Sequence, residues 1–395
     1  MPGAPVRVIG ILGTAQTLAW ASSYYLPAML ADPMARDLGV SAPTVYAAFS
    51  VAMVASALVG PWAGQAIDRH GGRVVLASTS VLFALGLGML GTAQGLWTMV
   101  AAWLVIGVAM GSGLYEAAFS SLVRLYGHRA RGAITGITLI AGFASTVGWP
   151  LSAWMESQFS WRGACLGWAG LHLLAGLPLN AWLPKAAAVP KAETPNVADS
   201  VHAEPRSVPE PRRQGYATAL LAFVFAATWF ISTAMATHLP RMLEATGATL
   251  TAAVAVGALI GPAQVVGRLL EFGLLRRVHP LLSARLAALA HPAGVAVLLT
   301  GGPAMAPLFA ILHGAGNGIL TIAKGTLPLA LFGPQGYGAR QGWLMMPARV
   351  AQAAAPFLFG LALDSWGANA LWLSGGIGLA ACVALLVLRA QSAVD

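Results

Sequence analysis

The chain has 395 residues, 57% of them hydrophobic and only 9% charged, whereas a soluble domain carries about 25% charged residues. So few charges cannot cover a water-facing surface, which excludes a soluble globular protein and leaves lipid as the surrounding solvent. The net charge of +9 and pI of 10.2 would suit a nucleic-acid partner, but the basic residues are distributed as membrane topology demands, so no nucleic-acid partner is expected.

A membrane helix needs about 20 mostly apolar residues. Twelve such runs are predicted in chain order: 7–30, 43–66, 74–94, 97–125, 131–155, 163–183, 216–240, 250–273, 281–300, 304–331, 341–363 and 367–389. The first has only Arg7 ahead of its apolar stretch and outruns a signal-peptide core, so it reads as a retained helix. Between the sixth and seventh runs, residues 184–215 are rich in Pro, Ala and charge. That composition buries too little apolar surface to order itself and predicts a flexible linker. The expected organisation is an N-terminal six-helix bundle (1–183), a cytoplasmic linker (184–215) and a C-terminal six-helix bundle (216–395), in an all-α membrane protein.

With the N-terminus inside, the expected outside loops hold only Arg36, Arg162 and Arg241. Arg268, Lys324 and Arg349 fall within spans, and every other Lys and Arg lies inside. The positive-inside rule therefore puts both termini in the cytoplasm. The halves also repeat each other. Gly64, Asp68 and Arg73 recur 203 positions later as Gly267, Glu271 and Arg276. Gly127, Gly132, Gly136 and Pro150 recur 206 positions later as Gly333, Gly338, Gly342 and Pro356. Leu-Pro-x-Met-Leu at Leu26–Leu30 returns at Leu239–Leu243. Repeated halves are how many secondary transporters are built, with substrate bound between them near the bilayer midplane.

The loop after the second run reads Gly64-Gln-Ala-Ile-Asp68-Arg69-His-Gly71-Gly-Arg73. Gly64 permits close helix approach. Asp68 suits the capping of a helix N-terminus or the pairing of a cation. Gly71 suits a tight turn. This loop resembles the signature of the major facilitator superfamily, with Gly267, Arg268, Glu271 and Arg276 as a weaker second copy. The resemblance implies two pseudo-symmetric six-helix bundles, alternating-access transport of a small molecule, these two loops as gates, a monomer, and residence in a bacterial inner membrane. The Tyr24–Leu30 segment and the layout also resemble the monocarboxylate and oxalate/formate branch. Two departures stand out. Gly107 occupies the place, ahead of Gly111 and Gly113, where many proton-coupled members carry arginine. Gly148-Trp149-Pro150 keeps only a fragment of the span-5 element of exporters.

Ionisable groups at membrane depth are costly, at about 2.5–3.5 kcal/mol even on permissive scales, and so mark function. Glu116, after Tyr115, is the one acid well inside a run. It is expected either to carry a proton or touch substrate, or to form a salt bridge with Lys324 or Arg349. His313, Asn317, Thr321 and Lys324 are spaced four, four and three apart, which puts them on one helical face. That face points to a wet cavity, or to interhelical hydrogen bonds for His313 and Asn317. Arg349, with Gln352 one turn on, needs an anion: Glu116 or a substrate carboxylate, which arginine grips bidentately. Trp20 and Tyr24 could line the cavity or belong to the interfacial aromatic belt. No His-Glu-x-x-His, Gly-x-Ser-x-Gly or phosphate-cradling Gly-x4-Gly-Lys pattern occurs. Cys165 and Cys382 are the only cysteines. No enzyme activity, metal or cofactor is therefore expected. The predicted function is secondary active transport of a small carboxylate-like anion, coupled to protons, with lipid and protons as the other partners. The alternative is efflux of an amphipathic drug or metabolite by proton antiport.

Overall fold

The computed structural model describes residues 6–185 and 211–388, except the side chains at 211–214, 250, 254 and 276. All regular structure among them is helical. Most of the expected linker, 186–210, lies outside the described residues.

Helix α1 (Val6–Ser22) stops where the Ser22 and Ser23 hydroxyls donate back to the Leu18 and Ala19 carbonyls, at 2.8 and 2.6 Å. Such bonds compete with the helical ladder. Pro27, which has no N–H to lose, opens α2 (Pro27–Leu38). The Ser41 hydroxyl accepts from Thr44 N–H and starts α3 (Ala42–His70), which ends at Gly71 with φ 83°. After α4 (Gly72–Gly91), the expected span 97–125 is two helices, α5 (Leu96–Gly113) and α6 (Tyr115–Tyr126), broken at extended Leu114. The break leaves Tyr115 and Glu116 in the first turn of α6, where unpaired N–H groups favour negative charge.

Helix α7 (Arg131–Ala141) leads into α8 (Ala144–Leu171), which turns sharply at Ser160. With φ 63°, Ser160 is the only non-glycine with positive φ among the described residues. One wide π turn, His172–Gly176, joins α8 to α9 (Leu177–Ala181). The second half comprises α10 (Pro211–Ala245), α11 (Leu250–Gly257), α12 (Ile260–Gly273), α13 (Pro280–Gly301), α14 (Ala306–Phe332), α15 (Tyr337–Trp366) and α16 (Ala370–Val387).

Eight helical stretches among the described residues are long and apolar enough to cross a membrane. Two of them, Leu96–Ala181 of 86 residues and Tyr337–Val387 of 51, far exceed the roughly 20 residues of one crossing. Eight stretches therefore hold more than eight crossings, and the protein is a multi-pass membrane protein.

The buried apolar side chains of residues 8–183 form one core, joined by Leu329 and Tyr337. Those of 221–388 form two further cores. The repeat is visible in how the helices touch. A Cβ on Gly111 (α5) would strike the Ser56 backbone of α3, and one on Gly318 (α14) would strike the Gln264 backbone of α12. Small residues allow this approach where lipid supplies no hydrophobic drive between helices.

The basic loops after α3, α6, α12 and α14 meet at one end of the molecule. Arg124 Nε donates to the Asp68 carbonyl at 3.2 Å, and Arg131 donates to the Val278 and Leu275 carbonyls at 2.9 and 3.2 Å. At the opposite end, Arg162 ties Asp37 to the Gly91 and Ala93 carbonyls, and Arg241 pairs with Asp364.

Candidate functional site

The interface between the halves carries charge at two levels. The deeper level is built on α6 and α15. Glu116 Oε2 accepts from Arg349 Nη2 at 2.9 Å. Arg349 is 3% exposed and Glu116 15%. Arg349 Nη1 donates to Gln352 Oε1 at 3.1 Å, so the next turn of α15 helps hold the guanidinium. From α14, the Lys324 ammonium stands 3.8 Å from the Trp229 ring centroid, a cation–π arrangement. Trp229, from α10, stacks against Trp20 of α1, with centroids 6.4 Å apart and planes 10° apart. Arg349 lies 5.9 Å from the Trp20 ring and 5.5 Å from the Trp229 ring. Tyr115 leans on Trp20 at 4.9 Å, and Tyr24 meets its edge at 5.3 Å. One acid, two cations and an aromatic wall thus converge from both halves.

The break at Leu114 helps position this group. It sets Tyr115 and Glu116 at a helix start. Tyr24 meets Trp20 four residues on, the spacing at which side chains along a helix are neighbours. Seven of the sequence-predicted residues therefore meet: Trp20, Tyr24, Tyr115, Glu116, Lys324, Arg349 and Gln352. His313 and Asn317 do not join them. His313 Nδ1 lies 3.0 Å from His291 Nδ1, and Asn317 donates to Ser232 at 3.0 Å, both inside the second half. They line a cavity there with Thr228, His291 and Gly378. A helix rises 1.5 Å per residue, which separates His313 from Lys324 by about 16 Å along α14.

The second level is the end where the basic loops meet. Asp68 Oδ1 accepts from Gly338 N–H and Oδ2 from Ala339 N–H, each at 2.9 Å, so its carboxylate caps the first turn of α15. A Cβ on Gly64 would collide with the Gly338 carbonyl, which makes glycine the side chain that this crossing admits. Gly71 turns the chain, Arg69 is exposed and Arg73 half-buried. In the second copy the contacts differ. Gly267 packs on Ala315 within its own half. Buried Arg268 donates to the Thr138 carbonyl at 3.3 Å, and Glu271 accepts from Arg131 at 3.0 Å, both across the interface. The Arg276 side chain lies outside the described residues.

Sequence reasoning missed Trp229, Arg131 and the His291–His313 contact. Trp229 stands 209 positions after Trp20, close to the repeat offsets, and that spacing was a usable signal. Nothing in the sequence singled out Arg131 as the partner of Glu271.

The chain matches the family model described as Major Facilitator Superfamily over residues 12–311. Three solved structures share its fold. The E. coli fucose:proton symporter FucP has a TM-score of 0.75 at 15% identity, covering 97% of this chain and 98% of that one. FucP in the outward conformation scores 0.71 at 16% identity, covering 97% and 99%. The human organic anion transporter MFSD10 (TETRAN) scores 0.69 at 18% identity, covering 97% and 100%. The chain is therefore a secondary transporter rather than an enzyme, and it belongs to the major facilitator superfamily.

Proposed function

We propose that this transporter moves a small carboxylate-like organic anion by alternating access, coupled to protons. The observation that carries the reading is the Glu116–Arg349 ion pair between the halves, with Lys324 beside it. Two cations face one acid there, so the group has positive charge to spare. Arginine's planar fork matches a carboxylate and suits bidentate capture. A substrate carboxylate competes with Glu116 for Arg349. Protonation of Glu116 releases the guanidinium to the substrate and removes the competing charge. The halves then rock about the loaded site, which requires the Asp68 and Glu271 contacts at the basic end to part. Twelve crossings, two six-helix bundles joined by the 184–215 linker, cytoplasmic termini, a bacterial inner membrane and a monomeric unit complete the proposal.

The test is transport in proteoliposomes. Glu116→Gln is expected to abolish proton-driven uphill uptake while leaving counterflow exchange. Driven uptake that survives in the variant would remove the coupling role of Glu116.

The aromatic wall of Trp20, Tyr24, Tyr115 and Trp229 favours a second reading, efflux of an amphipathic drug or metabolite by proton antiport. Proton-dependent extrusion of a lipophilic cation, with no carboxylate transport, would support it over the first.

A further inference from the structure

Beyond the arginine fork that one carboxylate would occupy, the deeper site holds further unused hydrogen-bond donors. The Trp20 and Trp229 indole N–H groups and the Gln352 amide nitrogen are buried without a partner. Trp20 is 4% exposed and Gln352 2%. The orientation of Gln352 is fixed by chemistry. Its Oε1 accepts from Arg349, and the flipped amide would set N–H groups against a guanidinium that only donates. Indole N–H is likewise donor only. The side chains that carry these donors come from both halves, Trp20 from α1 and Trp229 and Gln352 from α10 and α15, and each packs against Arg349, with Trp229 also against Lys324. A buried donor without an acceptor carries a desolvation penalty that a bound acceptor removes. The only acid in the group, Glu116, already faces Arg349.

Resting on the anion reading above, we infer that the substrate is a dicarboxylate, bound together with one proton on Glu116. Once Glu116 is neutral, Arg349 and Lys324 leave two positive charges, which a dianion balances and a monocarboxylate does not. One carboxylate takes the place of Glu116 on Arg349. The second carboxylate's oxygens accept from the indole and amide N–H groups beside Lys324. Because those donors belong to both halves, a dicarboxylate bridges the halves, and a monocarboxylate leaves some donors unmet.

Binding to the purified full-length chain at pH 6 tests this with matched pairs of equal carbon number: malonate with propionate, succinate with butyrate, and glutarate with valerate. Tetraphenylphosphonium serves as the amphipathic cation. At least one dicarboxylate is expected to bind about tenfold or more tightly than its match, the scale of a lost hydrogen bond to a charged group. Trp20→Phe and Trp229→Phe keep a ring and delete a donor. Each is expected to weaken that dicarboxylate by about tenfold, and to weaken the matched monocarboxylate by clearly less; equal weakening of both overturns the inference that the indole N–H groups hold the second carboxylate. Equal binding within every pair overturns the dicarboxylate inference and leaves the anion reading standing. Binding of tetraphenylphosphonium with no carboxylate binding overturns both, as does failure of every carboxylate to bind.

Discussion

Among the described residues, two arginine–carboxylate pairs cross the interface between the halves, and they differ in what else surrounds the arginine. At the basic end, Arg131 donates to Glu271 and to the Leu275 and Val278 carbonyls, while its Nε and Glu271 Oε2 are buried without a partner among the described residues. At the deeper level, Arg349 shares Glu116 with the charge of Lys324, and indole and amide donors around it are unused. The geometry of the two ion pairs is nearly the same, at 3.0 and 2.9 Å. The surroundings decide the role. A pair whose arginine also grips backbone carbonyls of the other half is a latch, and a pair walled by aromatic rings beside a second cation is a site that a ligand completes.

The largest effect should come from breaking the deeper pair on one side. Arg349→Gln strands the Glu116 charge, and removing one partner of a buried pair costs about 3–5 kcal/mol. Thermal unfolding in detergent should show this loss together with loss of transport. The double variant Glu116→Gln/Arg349→Gln should recover most of the stability and none of the transport. If the double variant stays as unstable as the single, the two side chains do not act as a pair.

The latch should behave otherwise. Glu271→Gln is expected to shift the conformational balance by about 1–2 kcal/mol, a factor of about 5–30, with substrate affinity preserved in the open form. Accessibility of a cysteine placed at the basic end reads this directly. A change in substrate specificity instead of accessibility would contradict the comparison. Asp68→Ala removes the cap on α15, at a cost of about 0.5–2 kcal/mol by analogy with helix N-caps. It should also raise accessibility at that end. The smallest effect belongs to Asn317→Ala. An interhelical hydrogen bond in a membrane protein is worth about 0.6 kcal/mol on average, so a slight loss of stability with normal transport is expected.

The contrast also separates what the sequence made legible from what it did not. Apolar runs, the Gly64–Arg73 loop and the repeat offsets rest on local composition and spacing, and they carried the helical membrane fold and the family. Glu116, Lys324 and Arg349 stood out because charge at depth is rare. Periodicity along one helix could not tell which of its levels meets another half. It grouped His313 with Lys324, although their neighbours are His291 in one case and Trp229 in the other. The break at Leu114 follows Gly111 and Gly113, which pack closely on Ser56 and Thr79, contacts that exist only after α3, α4 and α5 have packed. The Arg131 partnership with Glu271 likewise depends on how the two halves meet.

The central claim is that a substrate carboxylate replaces Glu116 on Arg349 while Glu116 takes up a proton. A pH-indicator measurement of weakly buffered, purified protein on addition of the tightest-binding carboxylate from the matched pairs tests it most directly. The account predicts net proton uptake on binding in the wild type and none in Glu116→Gln. Binding without proton uptake in the wild type, or equal uptake in the variant, would contradict it.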